Sequence, residues 1–439
     1  MARRFCNSVR NPHRILSAIC GQNARIPRAH NVLWSLPGGS VRKRILILGS
    51  NFAGYAAAAL LSSQLGSKHD IVVVSATDEF CFTPALLWVP FGLRDQRAIF
   101  RPLRPMLDRI GVRLKVATAT HIDPTASVVH THSGVEPFDY LVLATGEVPA
   151  PGENSLAPSA RLVRYIGSWD EANDTRAEVD AYLDRGGPAA VSVLPNSSQY
   201  LLAYEFAFAL AHQLLRRGKH RQSSVTVVTP EPFAGQCGSK DASHSKSAIE
   251  KLIRDWNIEV RPGRLVARSN GTSLVLDDGS ALPYSLAVAF PPTVGVDAVK
   301  ACTSLVDDKG FVRINASMQC PASENIFAAG SAVAAPVPSD QAAHCGVSKS
   351  GYFAQQSGRI AAFNVAAHIR NDALLCMPTH AINAQSVLIA AQISEQAQAD
   401  HSGGLNRFEW QIPGAEQHWA RLALEQHYPA SARPRSSAA

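Results

Sequence analysis

The turn Gly49-Ser50-Asn51-Phe52-Ala53-Gly54 is the first stretch of the chain whose residue types and spacing point to chemistry. Glycine lets backbone come close to a phosphate. The first amides of a following helix add unpaired N–H donors at the positive end of its dipole. A dinucleotide fingerprint carries its second glycine where Asn51 stands, so the Asn51 side chain is expected to crowd a pyrophosphate. Asn nevertheless tolerates left-handed backbone better than most residues. The same fingerprint wants a carboxylate at the end of the next strand to meet ribose hydroxyls. Ser75 and Ala76 occupy that end, with Asp78 and Glu79 just beyond. The alternative reading is a β-α-β unit with an empty site.

Thiols are the second source of chemistry: Cys6, Cys20, Cys81, Cys237, Cys302, Cys320, Cys345 and Cys376. They include no C-x-x-C pair and no zinc spacing, and they are too sparse for a disulfide scaffold, so a reducing compartment is the default. His130 and His132 lie two apart on a strand before a turn, hence on one face. Without a third ligand they read as a hairpin tip, and no metal is expected. Glu205, within a helix, reads either as a proton relay or as a structural ion pair.

These residues need elements to hold them. Arg44–Gly49 is a continuous apolar strand of the kind buried on both faces of a parallel sheet. A helix follows, ending at Gly66, and then the β-branched strand Ile71–Ser75. Phe138–Gly146 and Asn325–Gly330 are further buried strands ending in Gly. A second unit opens with the strand Gly187–Leu194, a helix over Leu201–Arg216 and the strand Ser224–Thr229. Its strand-to-helix turn, Leu194–Tyr200, contains no glycine, so a nicotinamide dinucleotide has nowhere to approach the backbone.

With 46% hydrophobic and 18% charged residues, the composition is that of a folded protein, and no apolar run reaches the roughly 20 residues of a spanning helix. The net charge of +7 is confined to one place. Nine of the 42 basic residues lie in positions 1–44 and the first acid is Asp70, leaving 33 basic against 35 acidic residues elsewhere. A nucleic-acid partner is therefore not implied. The Arg-rich, acid-free tail reads as a mitochondrial presequence or as a disordered extension.

Several blocks in order over roughly residues 42–428 resemble the two-dinucleotide flavoproteins, and more narrowly the sulfide:quinone oxidoreductase family. They are Phe82-Thr83-Pro84…Trp88-Val89…Gly92, Arg101-Pro102-Leu103-Arg104-Pro105, Ala203-Tyr204-Glu205-Phe206-Ala207 and Thr229-Pro230-Glu231-Pro232-Phe233. Gly295–Val299, Asn325–Gly330 and Gly346–Tyr352 complete the set. The resemblance implies an α/β fold of two Rossmann-like, doubly wound domains. A FAD domain, over 42–150 and again over 285–370, would be interrupted by a second domain at 151–284. A basic tail at 1–41 and a C-terminal region at 371–439, with a short amphipathic helix near 417–428, would flank them.

The resemblance implies FAD contacts at Gly49, Asn51, Ala53, Gly54, Ser75, Pro84, Ala144, Thr145, Gly146, Gly330, Ser331 and Lys349. Ser331 stands where many such flavoproteins carry Asp. The family's sulfide chemistry uses cysteines, and the matching positions here hold Gln199, Ser386 and Gly167. A family histidine is matched by Gln236. Neither amide nor hydroxyl can hold a sulfane sulfur, so the standard persulfide chemistry is expected to be lost. Cys345 or Cys237 is the candidate for a relocated thiol, with Cys81 a weaker one; the alternative is that all three are ordinary buried cysteines.

The expected function is a FAD-dependent oxidoreductase passing electrons from a small-molecule reductant, sulfide-type in the family, to a membrane quinone. The alternative is a non-catalytic flavoprotein or regulatory paralogue, and an NAD(P)H dehydrogenase is disfavoured. The expected location is cytoplasmic with peripheral contact on the inner membrane face, or the mitochondrial matrix side if the tail is a presequence.

Overall fold

The computed structural model of the chain describes residues 41–150, 162–163, 166–235, 250–334, 349 and 351–376. The tail, residues 151–161, Gln236, Cys237, Cys345, Ser386 and the segment 417–428 lie outside them.

Two five-stranded sheets carry the architecture. The first is built from β1 (Arg44–Leu48), β2 (Asp70–Ser75), β5 (Arg113–Val116), β9 (Tyr140–Leu143) and β20 (Ile326–Ala328), in the order β20-β9-β1-β2-β5. All four pairings are parallel. The sequences RILIL and DIVVVS form these strands because every position but the first is apolar or small and the interior is covered on both faces. Ile45, Leu46 and Ile47 are fully buried. Each such side chain contributes about 1.5–3 kcal/mol relative to exposure.

The covering helix is α1 (Phe52–Leu65), a nearly uniformly apolar FAGYAAAALLSSQL with nine buried residues, which is what a helix covered on most sides requires. The short polar stretch Gly66–Asp70 returns the chain to β2.

The second sheet has the order β11-β18-β12-β13-β14, from β11 (Leu162–Val163), β12 (Pro188–Val193), β13 (Ser224–Thr229), β14 (Ile258–Pro262) and β18 (Leu286–Phe290). It too is parallel throughout. The helix α2 (Trp169–Arg185) precedes β12, opened by the Ser168/Glu171 capping box, and α3 (Tyr200–Arg216) follows it. Among the described residues, the strands and helices read from the sequence are therefore present within one to three residues, the largest difference being the strand read as Phe138–Gly146 and found at Tyr140–Leu143. One boundary differs. β18, at Leu286–Phe290, pairs with β12 in the second sheet, so the return to the first sheet falls after residue 290 rather than at 285.

That return runs through an antiparallel ribbon of β10 (Glu147–Pro149) and β19 (Thr293–Gly295). β20 then takes its place beside β9, and the final helix α4 (Gly351–Arg370) packs along α1. Gly358 permits the contact, since a Cβ there would lie 2.3 Å from the Ala53 carbonyl oxygen. Two antiparallel meanders complete the fold: β6 (Ala119–Asp123), β7 (Val128–Thr131) and β8 (Gly134–Pro137), and then β15 (Val266–Ser269), β16 (Ser273–Leu276) and β17 (Ala281–Pro283). His130 lies on β7 with its ring 5.8 Å from that of His121 on β6, while His132 falls in the turn, so the two histidines do not share a face as the spacing suggests.

Candidate functional site

In the first sheet β2 lies on one side of β1 and β9 on the other, so the strand order reverses at β1. Its carboxyl end is where open parallel sheets bind ligands. There Gly49 adopts φ +105°, and a Cβ on it would sit 2.2 Å from the Ala144 carbonyl oxygen. A Cβ on Gly54 would meet the Gly49 oxygen at 2.0 Å. Both glycines are thus required by close backbone approach.

The predicted cofactor residues fall into one connected cluster. A Cβ on Gly330 would lie 2.9 Å from the Ala53 Cβ, one on Gly351 3.7 Å from Pro84 Cγ, and one on Gly146 3.8 Å from Ser331 Oγ. Lys349 Nζ donates to the Ser331 carbonyl at 2.9 Å. Ser75, at the end of β2, shares a 2.8 Å hydroxyl–hydroxyl bond with Ser50; both are buried.

Asn51 behaves differently from the expectation. Its backbone is extended, at φ −75°, where no glycine is needed, and its side-chain oxygen accepts the Cys81 backbone N–H at 3.0 Å. Cys81 belongs to β3 (Glu79–Cys81), which pairs antiparallel with β4 (Phe100–Pro102). The asparagine therefore ties the turn to that ribbon. Cys81 itself is a poor thiolate, because burial and then the charge of Glu79 push its thiol up to about 12.

FAD fits these residues on two observations. α1 begins buried, with no side-chain cap and no acid in its first turn; its first internal bond is Tyr55 N–H to the Asn51 oxygen. Those leading amides would hold the pyrophosphate. Beside them, Thr145 Oγ1 is buried without a hydrogen-bond partner, an expensive state that a ligand atom would relieve. Ser50 and Ser75 would meet the adenosine ribose in place of a carboxylate.

Glu147, immediately after Ala144-Thr145-Gly146, did not emerge from the sequence reading. Its Oε2 lies 3.6 Å from Lys349 Nζ, with side-chain exposures of 12% and 6%, and accepts from Thr293 Oγ1 at 2.8 Å. The Lys349 ammonium also lies 3.4 Å from the centre of the Phe311 ring. Burial holds the Lys349 pKa below its ordinary value, while Glu147 and Asp307 pull it back up. A carboxylate directly after a strand-ending Gly was the available signal.

Among the described residues, the polar groups at the corresponding end of the second sheet already have partners. At the end of β12, Asn196 takes φ +63° and Ser197 is fully buried, donating nothing outward: its Oγ accepts the Gln199 N–H at 3.1 Å. At the end of β13 the fully buried Glu231 accepts from Tyr204 at 2.7 Å and Thr229 at 2.9 Å. Gln199 stands at the N-terminal boundary of α3 without a side-chain capping bond, and the Gly167 N–H donates to Glu171 in the α2 cap. Glu205 is buried on α3, whose Phe206 ring lies 5.0 Å from that of Phe91. Among the described residues no group of three His, Cys, Asp or Glu side chains is placed to hold a metal, and no helix is long and apolar enough to cross a membrane.

Two parallel doubly wound sheets with a dinucleotide turn on the first define a nucleotide-dependent oxidoreductase class. Residues 43–358 match the pyridine nucleotide-disulphide oxidoreductase family, and the chain belongs to it. It is 28% identical over 337 residues to a sulfide-quinone reductase of Aquifex aeolicus (strain VF5), covering 75% of this chain and 77% of that protein. The crystal structure of the sulfide:quinone oxidoreductase from Aquifex aeolicus superposes with a TM-score of 0.70 over 75% of this chain and 78% of that one, at 28% identity. An external alternative NAD(P)H-ubiquinone oxidoreductase B2 of Arabidopsis thaliana is 23% identical over 62% of this chain, which spans about half (52%) of that relative. Members of the family are FAD-binding flavoproteins, and this chain is a FAD-dependent oxidoreductase similar to sulfide-quinone reductase.

Proposed function

We propose that the chain passes electrons from a small-molecule, sulfide-type reductant through FAD to a quinone, without the family's standard cysteine chemistry. One contrast carries the reading. The first-sheet turn leaves the Thr145 hydroxyl orphaned beside its helix start, whereas the second-sheet turn, at a helix that is likewise uncapped, carries no glycine and has its Ser197, Tyr204 and Glu231 polar atoms already partnered. One dinucleotide is accommodated and a nicotinamide donor is not. The names of the relatives support a quinone acceptor, since both the sulfide-quinone reductase and the NAD(P)H-ubiquinone oxidoreductases carry it.

Bound FAD supplies a two-electron store. Around it, in this reading, Gly49 and Gly54 would admit the pyrophosphate, Asn51, Ala53, Pro84 and Gly330 would line the approach, Ala144, Thr145 and Gly146 would lie beside it, and Ser331 would face its ribityl–phosphate region. Lys349 Nζ, paired with Glu147, holds a proton beside them. The two-domain division, 42–150 with the returning segment around the second sheet, belongs to the same reading and is supported by β20 pairing with β9. Thiol chemistry is assigned to Cys345 or Cys237, the candidates nearest the family's flavin and histidine blocks; Cys302 and Cys320 are buried in the core and the Cys81 thiol is pushed up. Docking is peripheral, on the inner membrane face, or on the matrix side if the tail is a presequence.

The test is an anaerobic visible spectrum of the purified protein. Bleaching by sulfide and recovery with a short-chain quinone, with loss in Cys345→Ser or Cys237→Ser, is expected; bleaching by NADH would overturn the reading. A second reading, a non-catalytic regulatory flavoprotein, is favoured by Gln199 and Gly167 standing where the resemblance expects cysteines, Gly167 tied into the α2 cap, and predicts a stable yellow protein under both reductants.

A further inference from the structure

We propose that Thr293 is a positioning residue that sets the proton affinity of Lys349 through Glu147. This rests on the reading above, in which the Lys349–Glu147 pair holds a proton beside the flavin. Thr293 opens β19, in the ribbon that returns the chain from the second sheet, with only Pro291 and Pro292 between it and the end of β18. Its Oγ1 donates to Glu147 Oε2 at 2.8 Å, and that same oxygen is the one 3.6 Å from Lys349 Nζ. Thr293 is 7% exposed, so its hydroxyl competes with little water for the carboxylate.

Among the described residues, these groups act on Lys349. Glu147 faces it from β10, Asp307 and Lys309 act from the hairpin before Phe311, the Ser331 carbonyl accepts from it, and the Phe311 ring lies against it. At 3.6 Å, in surroundings this dry, the attraction depends steeply on where the carboxylate oxygen is held. A threonine hydroxyl fixes that oxygen; a methyl group of the same shape does not. Because β19 hangs directly from β18, the placement of the second sheet is felt at a lysine beside the first-sheet site.

The experiment compares Thr293→Val, Thr293→Ser, Glu147→Gln and Lys349→Met as flavin-loaded full-length proteins. The visible spectrum of bound flavin is titrated with pH in the absence of substrates, and the pH profile of kcat is measured with a soluble quinone. The midpoint that disappears in Lys349→Met is the one to follow. Thr293→Val is expected to lower it by about 0.5–1 pH unit, Thr293→Ser to restore it, and Glu147→Gln to lower it further. Thr293→Ala serves as the second variant should valine disturb the ribbon. A wild-type midpoint in Thr293→Val and Thr293→Ala, with Glu147→Gln shifted, overturns the role of Thr293 and leaves the reading of the pair standing. No midpoint dependent on Lys349 or Glu147 overturns both.

Discussion

The Asn51 side-chain oxygen accepts the Cys81 backbone N–H at 3.0 Å, so the residue that departs from the dinucleotide fingerprint is an anchor for the neighbouring β3–β4 ribbon. A glycine at this position would leave a strand-end amide without its acceptor and add backbone freedom.

Asn51→Gly restores the fingerprint spacing but is expected to weaken the protein. Loss of one half-buried hydrogen bond and the added unfolded-state entropy together cost about 1–2 kcal/mol. FAD affinity, read by quenching of flavin fluorescence on titration with apoprotein, should stay the same or fall, because the ribbon carrying Phe82 and Pro84 loses its tether. Tighter FAD binding in the glycine variant would show that Asn51 crowds the pyrophosphate after all.

Much of the first-sheet cluster was legible because it depends on short-range patterns. A buried β-branched strand, a glycine where backbone meets backbone and an apolar helix read directly from RILILG and FAGYAAAALLSSQL. Glu147, Thr293 and the Tyr204–Glu231 bond were not legible. Glu147 and Thr293 are 146 residues apart and meet only because β10 and β19 pair, and no local periodicity encodes that pairing. The anchoring role of Asn51 was not legible for a related reason: its partner, Cys81, is 30 residues away on a three-residue strand too short to announce itself. The boundary at 285 failed because LAVAF is an equally good buried strand for either sheet.

Tyr204→Phe tests the closure of the second sheet. Its hydroxyl donates to the fully buried Glu231 carboxylate and accepts the Gly235 N–H at 3.2 Å. Removing a donor to a buried charge should cost about 1.5–3 kcal/mol, measured by urea unfolding. NADH should still neither bleach the flavin nor raise the melting temperature, since Ser197 and the glycine-free turn remain. Thermal protection of the variant by NADH would mean that the Tyr204–Glu231 bond alone bars the nucleotide.

Cys81 should be among the least reactive thiols of the native protein. With its pKa near 12 rather than the ordinary 9.0, its thiolate fraction near neutral pH is lower by about a thousandfold. Mass-spectrometric mapping after brief iodoacetamide treatment at pH 8 should find the exposed Cys376 modified and Cys81 intact. Denaturation should make the two equal. Rapid native labelling of Cys81 would return it to the set of candidate redox thiols.

Lys349 gives a pH dependence whose sign is set by burial. Desolvation lowers its folded pKa below 10.5, and the attraction of Glu147 only partly offsets this. Between the folded and the ordinary value the unfolded chain binds more protons, so this group's contribution to stability rises with pH through that window and is smallest below it. Lys349→Met removes the dependence and leaves Glu147 without its cation, a change of about 3–5 kcal/mol for a buried pair at neutral pH. The stability difference between wild type and Lys349→Met, from urea unfolding at successive pH values up to 10.5, should therefore widen in favour of the wild type as pH rises. A difference that narrows would mean that Glu147 outweighs burial and that the folded pKa lies above the ordinary lysine value.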